Sequence, residues 1–159
     1  MDRITTALQE AIKKDLGLMS ILMPQKAEGN TAQVQLYFTG IKASGESSND
    51  DSTNGTESIS LNATYVISGT HKKWINQAIK DSRKFCNLIE KDNGKMLLVV
   101  KIDTENTKKI YALWNRQGEG QFVYPNDEEK SMPVSYVETY KIDIRFPTDF
   151  LGGDNESNW

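Results

Sequence analysis

The apolar positions of this chain recur at a helical period in two places. The first predicts a short helix that begins at Asp2 and ends before Gly17, and the second predicts a longer helix over 71–91 after the capping residue Thr70. The apolar stripe of the short helix consists of Ile4, Leu8, Ala11 and Ile12. For the long helix, we expect the buried face to consist of Trp74, Ile75, Ala78, Ile79, Ser82, Phe85, Cys86 and Ile89.

Alternation of apolar and polar residues predicts the main strands. The ranges 31–41 and 59–68 both alternate, and the segment between them has no helical pattern, so we predict an antiparallel pair. The range 134–146 alternates over thirteen residues, which exceeds a usual strand. We therefore expect either one end that projects beyond the sheet or a bulge at Glu138.

Three further stretches complete the predicted sheet. The range 96–102 is apolar apart from Lys101, which is typical of a central strand buried on both faces, and a hairpin leads from it to 108–115. The range 117–120 then turns the chain into a short strand, and 18–23 is either a buried connector or another short strand. Together the patterns predict an α+β fold in one domain over 1–146, with a mainly antiparallel β-sheet packed against two α-helices.

Two segments lack any pattern that could join a core. The long hairpin loop 42–57 is acidic and holds one lysine, and it is either a flexible connection or an interaction arm, since compact domains rarely keep such loops without a use. Residues 147–159 are rich in Gly, Asp and Asn and predict a flexible C-terminal tail.

Composition excludes several kinds of chemistry. The net charge of −3 argues against a broad basic surface for nucleic acid and leaves room only for a local basic patch. His71 and Cys86 are the only residues of their types, and on the predicted helix they lie about 22 Å apart, too far to share a proton. No phosphate-binding glycine motif occurs, and the paired acids fall in loops. We therefore expect no enzyme activity, no catalytic residues, no metal and no cofactor.

Other surfaces could still bind partners. The face of the long helix opposite its apolar stripe is basic, which indicates either a solvated face or a contact surface for an acidic partner. Tyr37, Tyr111, Trp114 and Tyr124 lie on predicted strands, as in sheets that stack single-stranded bases, but these strands lack interleaved basic residues. No window approaches the roughly 20 apolar residues of a membrane span, so we expect no membrane segment.

The order of elements, together with three stretches of sequence, resembles the tail-terminator proteins of long-tailed bacteriophages. These stretches are Val34 to Gly40 (VQLYFTG) before the acidic loop, Ile59 to Ser68 leading directly into the long helix, and the closing strand Tyr140 to Phe146 (YKIDIRF). The resemblance covers about Ile4 to Phe146. It implies a structural virion protein, assembled in the host cytoplasm, that forms a hexameric ring in the phage tail or neck.

Such a ring caps the tail tube protein, halts its polymerisation and joins the tube to the head–tail connector or stopper protein. DNA passes through the channel without specific binding. Because the family's interface positions are not defined by a motif, candidate residues follow from charge and position alone. For contact with the lumen or the tube these are Glu46, Asp50 and Asp51. For contact with a neighbouring subunit or the connector they are Lys72, Lys80, Arg83 and Lys84.

This chain departs from the family pattern in its strand-rich segment 95–124 and in its extra tail. Another phage neck or head-completion protein is therefore a close alternative. A single-stranded nucleic-acid-binding module with an acidic tail is the second alternative.

Overall fold

The computed structural model describes residues 2–22, 32–44, 55–69, 72–124, 134–148 and 150. Two helices are present in this part of the chain, α1 (Asp2–Leu16) and α2 (Lys72–Lys91). The strands are β1 (Met19–Ile21), β2 (Ala32–Ser44), β3 (Thr56–Gly69), β4 (Lys95–Lys101), β5 (Thr107–Arg116), β6 (Gln121–Val123) and β7 (Val134–Pro147). The predicted α+β class with two helices is confirmed.

The strands form one sheet in the order β1-β2-β3-β7-β5-β4, with β6 also paired to β7. Every pair is antiparallel except β1 with β2, so the predicted mainly antiparallel sheet and the β2–β3 hairpin are confirmed. Both helices contact the sheet and each other. The helix-facing residues of the strands form one buried core with the predicted stripe of α1.

The hairpin strands reach further than their sequence pattern indicates. Lys42 pairs with Ser58 and Ser44 pairs with Thr56, so five residues of the range predicted as loop belong to strands. Residues 45–54, which include the candidates Glu46, Asp50 and Asp51, lie outside the described part of the chain.

The long strand β7 runs through the middle of the sheet without a bulge. Its register with β3 is unbroken from Val134 to Pro147, so both expected alternatives, a bulge at Glu138 and an end that projects beyond the sheet, are wrong. The irregularity lies on the opposite edge of β7, where Arg116 pairs with Tyr140 and the next pair is Gln121 with Val137. Between these two pairs, residues 117–120 lie opposite only Glu138 and Thr139 of β7. Strands β5 and β6 therefore pair with the same edge of β7, and 117–120 interrupts that edge.

The strand β4 is an edge strand, which corrects the prediction that it is central and buried on both faces. Its side chains alternate strictly, with Met96, Leu98 and Val100 buried, and with Leu97 and Val99 about two-fifths exposed. The core packs against only one face of β4. Its unbroken apolar run therefore places alternate apolar side chains in the core and the others on the exposed face of the sheet.

The chain stays packed beyond the end of β7. The amide of Thr148 donates to the carbonyl of Gly55 at 2.9 Å, and the buried ring of Phe150 packs on Phe146 at 5.9 Å between centroids. The predicted flexible tail therefore does not begin at Pro147, and 151–159 lie outside the described residues.

Candidate functional site

The helix α2 packs on the sheet through a stripe that periodicity only partly identified. Its buried residues are Trp74, Ala78, Asp81, Phe85 and Leu88. Phe85 stacks on Tyr140 with ring centroids 4.6 Å apart and meets Tyr65 edge-on at 5.6 Å. Ile75 and Ile79, which we predicted to be buried, are 38% and 49% exposed. The helix is therefore rotated so that an aspartate, and not an isoleucine, faces the sheet.

The first of two buried carboxylates belongs to Asp81 on α2 itself. Asp81 has no exposed surface, and its Oδ2 accepts a hydrogen bond from the Tyr65 hydroxyl at 2.6 Å. Its Oδ1 accepts one from Gln77 Nε2 at 2.9 Å and lies 3.5 Å from Lys84 Nζ. A buried charge is tolerated only with such partners, so these contacts fix the position of α2 against β3.

The second buried carboxylate, Glu138 on β7, joins three elements. Its Oε1 accepts hydrogen bonds from the hydroxyls of Ser82 at 2.6 Å and Tyr136 at 2.7 Å. Its Oε2 accepts one from the Tyr140 hydroxyl at 2.9 Å. The Arg116 guanidinium on β5 lies 3.3 Å from Oε1 and supplies the counter-charge. Glu138 thereby ties α2 and β5 to the central strand.

The tyrosines of this network are held as neutral hydrogen-bond donors. Burial raises the pKa of Tyr65 and of Tyr140 well above the ordinary value, with contributions from the neighbouring carboxylates. Burial and the bond to Glu138 raise the pKa of Tyr136 to about 12. Each phenol therefore keeps its proton at neutral pH and donates it to a carboxylate. A network of saturated, buried groups orders the helix, and we assign it a positioning role.

An apolar surface is left exposed beside this fixed helix. Ser82 and Cys86, one and two turns beyond Ile79, contact Glu138 and Arg116 respectively. Residues at this spacing share one side of a helix, so Ile75 and Ile79 lie on the side of α2 that faces the β5–β6 edge.

Two aromatic residues of β6 and its end extend this surface. Phe122 is 47% exposed and lies edge-on to Trp74 at 6.1 Å, and Tyr124 is 71% exposed and lies 6.5 Å from Phe122. Among the described strands, β6 pairs only with β7, so its other edge carries unpaired backbone groups. We call Ile75, Ile79, Phe122 and Tyr124 the α2–β6 surface.

The predicted basic contact residues divide between two sides of α2. Lys80 and Arg83 are exposed, and Arg83 follows Ile79 by one turn, so it borders the α2–β6 surface. Lys84 lies on the other flank, where it pairs with Asp81. Lys72 is the first residue of α2, and its side chain lies outside the described set. Lys80 precedes Lys84 by one turn and lies toward that flank. Of the candidates whose side chains are described, Arg83 is therefore the one that borders the apolar surface.

Chemistry of other kinds finds little support in the described residues. A cavity of about 160 Å³ between α1 and β4 is smaller than the roughly 300–1,000 Å³ of common ligand pockets. In the described ranges, no group of three or more His, Cys, Asp or Glu side chains is placed to hold a metal ion. No described helix is long and apolar enough to cross a membrane.

Comparison with known proteins adds no family assignment. No protein-family model matches the chain, and no curated protein matches its sequence.

Proposed function

We propose that this protein is a structural virion subunit of the tail or neck of a long-tailed phage, in the manner of the tail terminators that its sequence resembles. In this role six copies form a ring that caps the tail tube protein and binds the head–tail connector or stopper protein, while DNA passes through the channel. The single observation that carries the proposal is the α2–β6 surface. It is apolar, exposed and built on a helix that a buried network holds in place.

The composition of this surface suits a contact between protein subunits. Ile75, Ile79, Phe122 and Tyr124 are each between 38% and 71% exposed, although side chains of this kind are usually buried. Arg83 stands at its border, and interfaces commonly combine an apolar, aromatic centre with arginine. A contact of this surface with a different surface of the next copy is heterologous, and such contacts close into rings.

The basic and acidic candidates have complementary parts in this arrangement. Arg83 is exposed at the border of the α2–β6 surface and would face acidic groups of a neighbouring subunit or connector, and the exposed Lys80 lies one turn before Lys84. Glu46, Asp50 and Asp51 belong to the acidic segment that we propose for contact with the lumen or the tube. Lys84 contributes less, because its ammonium group is already paired with Asp81.

The same features also suit another neck or head-completion protein, which would use the same surface against a different partner. The nucleic-acid-binding alternative has less support, since the four candidate aromatic residues do not share a face. Trp114 is buried and packs on Phe85, and Tyr124 lies beside Phe122. Tyr37 and Tyr111 share the opposite face of the sheet, but β3 and β7 lie between their strands. A stacking platform needs several rings on one surface.

The experiment is a mass measurement by light scattering with negative-stain microscopy, alone and with purified tail tubes. We expect a ring of six times the 17.9 kDa subunit mass, free or at the tube end. The variant Ile79→Asp should abolish it by burying a charge in the interface. The matched variant Asn87→Asp, which adds the same charge at another exposed position of α2, should still form it. A monomer that neither assembles nor binds tubes would refute the proposal.

A further inference from the structure

The face of the sheet opposite the core carries a second exposed apolar area, at strands β4 and β5. Helix α1 borders it, since Glu10 lines a cavity together with Val99 and Lys101. The register places Leu97 opposite Tyr111 and Lys95 opposite Leu113, while Val99 pairs with Lys109. Leu97, Val99, Tyr111 and Leu113 are between 38% and 55% exposed. We call these four residues, together with the exposed lysines Lys95, Lys101 and Lys109 around them, the β4–β5 patch.

The face that holds this patch is strongly basic. On the neighbouring strand β7, the exposed Lys141 and Arg145 point to the same side, since they alternate with Ile142 and Ile144, which face the core. Asp143 is the one acidic residue of β4, β5 and β7 on this face, and its carboxylate already accepts a bond from Ser60 Oγ at 2.6 Å. Any occupant of the patch should therefore combine apolar side chains with negative charge.

The end of the chain is acidic and points to an internal occupant. No Lys or Arg follows Arg145, whereas Asp149, Asp154 and Glu156 all lie in the last fourteen residues. The acidic partners of the basic face are thus available within this protein.

One acidic segment begins at the end of the sheet where the patch lies. Phe150 is anchored there by its contact with Phe146 and by its carbonyl, which accepts a hydrogen bond from Lys108 Nζ at 2.9 Å. Lys108 precedes Lys109 of the patch, but alternation places it on the helix-covered face together with the buried Phe146 and Phe150. Residues 151–159 therefore begin at the same end of the sheet as Lys109 and reach the patch by passing around that end.

The sequence of 151–159, LGGDNESNW, has the composition that the patch requires. It holds Asp154 and Glu156 and no basic residue, and Leu151 and Trp159 flank the acids. Nine extended residues reach about 30 Å, whereas the patch spans about 13 Å from Val99 to Lys95. We propose that residues 151–159 bind the β4–β5 patch of their own chain, with Asp154 and Glu156 against its lysines and Trp159 on its apolar centre.

A nucleic-acid strand is the competing occupant of a basic face, and the patch suits it less well. Three of its four apolar side chains are aliphatic, and Lys95 Nζ lies over the ring of Tyr111 at 6.0 Å, where a base would stack. The proposal does not depend on a ring, because it concerns contacts within one chain.

Carbodiimide coupling of the full-length protein, read by mass spectrometry, tests the contact directly. We expect links from Asp154 or Glu156 to Lys95, Lys101 or Lys109, and few to the exposed Lys73 and Lys80 of α2. In a co-refolded mixture of unlabelled and nitrogen-15-labelled protein, each link should join two light or two heavy peptides. Links of mixed mass, or links spread evenly over all lysines, would overturn the proposal.

Two pairs of substitutions sharpen the test. The double variant Leu97→Ser, Leu113→Ser should lower the yield of these links about tenfold through lost apolar contact, whereas Ile75→Ser, Ile79→Ser should leave it unchanged. The double variant Leu151→Ser, Trp159→Ser should have the same effect as the first without touching the sheet. Protection of the three patch lysines by a thymidine oligonucleotide, with no loss of links in these variants, would instead assign the patch to nucleic acid.

Discussion

Replacing Glu138 by glutamine should destabilise the fold markedly even though the two side chains have nearly the same shape. The carboxylate accepts hydrogen bonds from Ser82, Tyr136 and Tyr140, all at 2.6–2.9 Å. Hydrogen bonds to a charged group contribute about 1.5–3 kcal/mol each, and neutral ones contribute about 0.5–1.5 kcal/mol. Replacing the charged acceptor by a neutral amide should therefore weaken each of the three bonds by roughly 1 kcal/mol. Arg116 adds less, because its side chain is 36% exposed.

We therefore expect Glu138→Gln to lower the free energy of unfolding by about 3 kcal/mol, out of a total of about 5–15 kcal/mol. Urea denaturation measures this as a lower midpoint at an unchanged slope. Asp143→Asn is the matched control, since Asp143 lies on the same strand with one hydroxyl donor, and it should cost less than about 1 kcal/mol. Equal stability of Glu138→Gln and the natural protein, or an equal loss in both variants, would refute the positioning role of Glu138.

Two further predictions concern alkaline pH and a tight approach of the backbone. Because the pKa of Tyr136 is raised to about 12, its contribution to the free energy of unfolding should be complete below the ordinary tyrosine pKa of about 10 and fall above it. In urea titrations, Tyr136→Phe should make the loss of stability from about pH 10 to 11.5 shallower. A slope that Tyr136→Phe leaves unchanged would contradict this. Gly94→Ala should cost about 2–4 kcal/mol, since its φ is +75° and an added Cβ would lie 2.5 Å from the carbonyl oxygen of Trp114. Gly118→Ala, at φ +80° with no atom nearby, should cost only about 1–2 kcal/mol in the same denaturation assay, and equal losses would exclude the clash.

Local pattern was sufficient for the elements that have one buried face. The stripe of α1 and the alternation of β3 and β7 are set by the period of the chain itself, and both were predicted correctly. The position of a strand in the sheet is set by distant partners, and the apolar run 96–102 does not reveal that β4 pairs with only one of the described strands. Its exposed Leu97 and Val99 consequently create a patch that the sequence alone presents as core.

The candidate site was less predictable, because it depends on the rotation of α2 about its own axis. The apolar residues of this helix cover more than half of its circumference, so periodicity allows either Ile75 and Ile79 or Trp74 and Leu88 to face the sheet. A polar residue, Asp81, decides which side of the helix faces the sheet. Asp81 falls in the same stripe as Ala78 and Phe85, and it faces the hydroxyl of Tyr65, which the alternation of β3 also turns inward.

The buried network and the exposed surface are consequently two results of one choice. If Ile79 faced the sheet, Asp81 would turn to solvent, and the hydroxyl of Tyr65 would be left buried without its acceptor at a cost of about 1–3 kcal/mol. Asp81 accepts a hydrogen bond from Tyr65 on β3, and Ser82 donates one to Glu138 on β7, so these bonds exclude that rotation and leave the two isoleucines outside. An apolar core without these groups would permit the helix to bury its isoleucines, and the α2–β6 surface would disappear. The polar network thus keeps the two isoleucines exposed, as the proposed subunit contact requires.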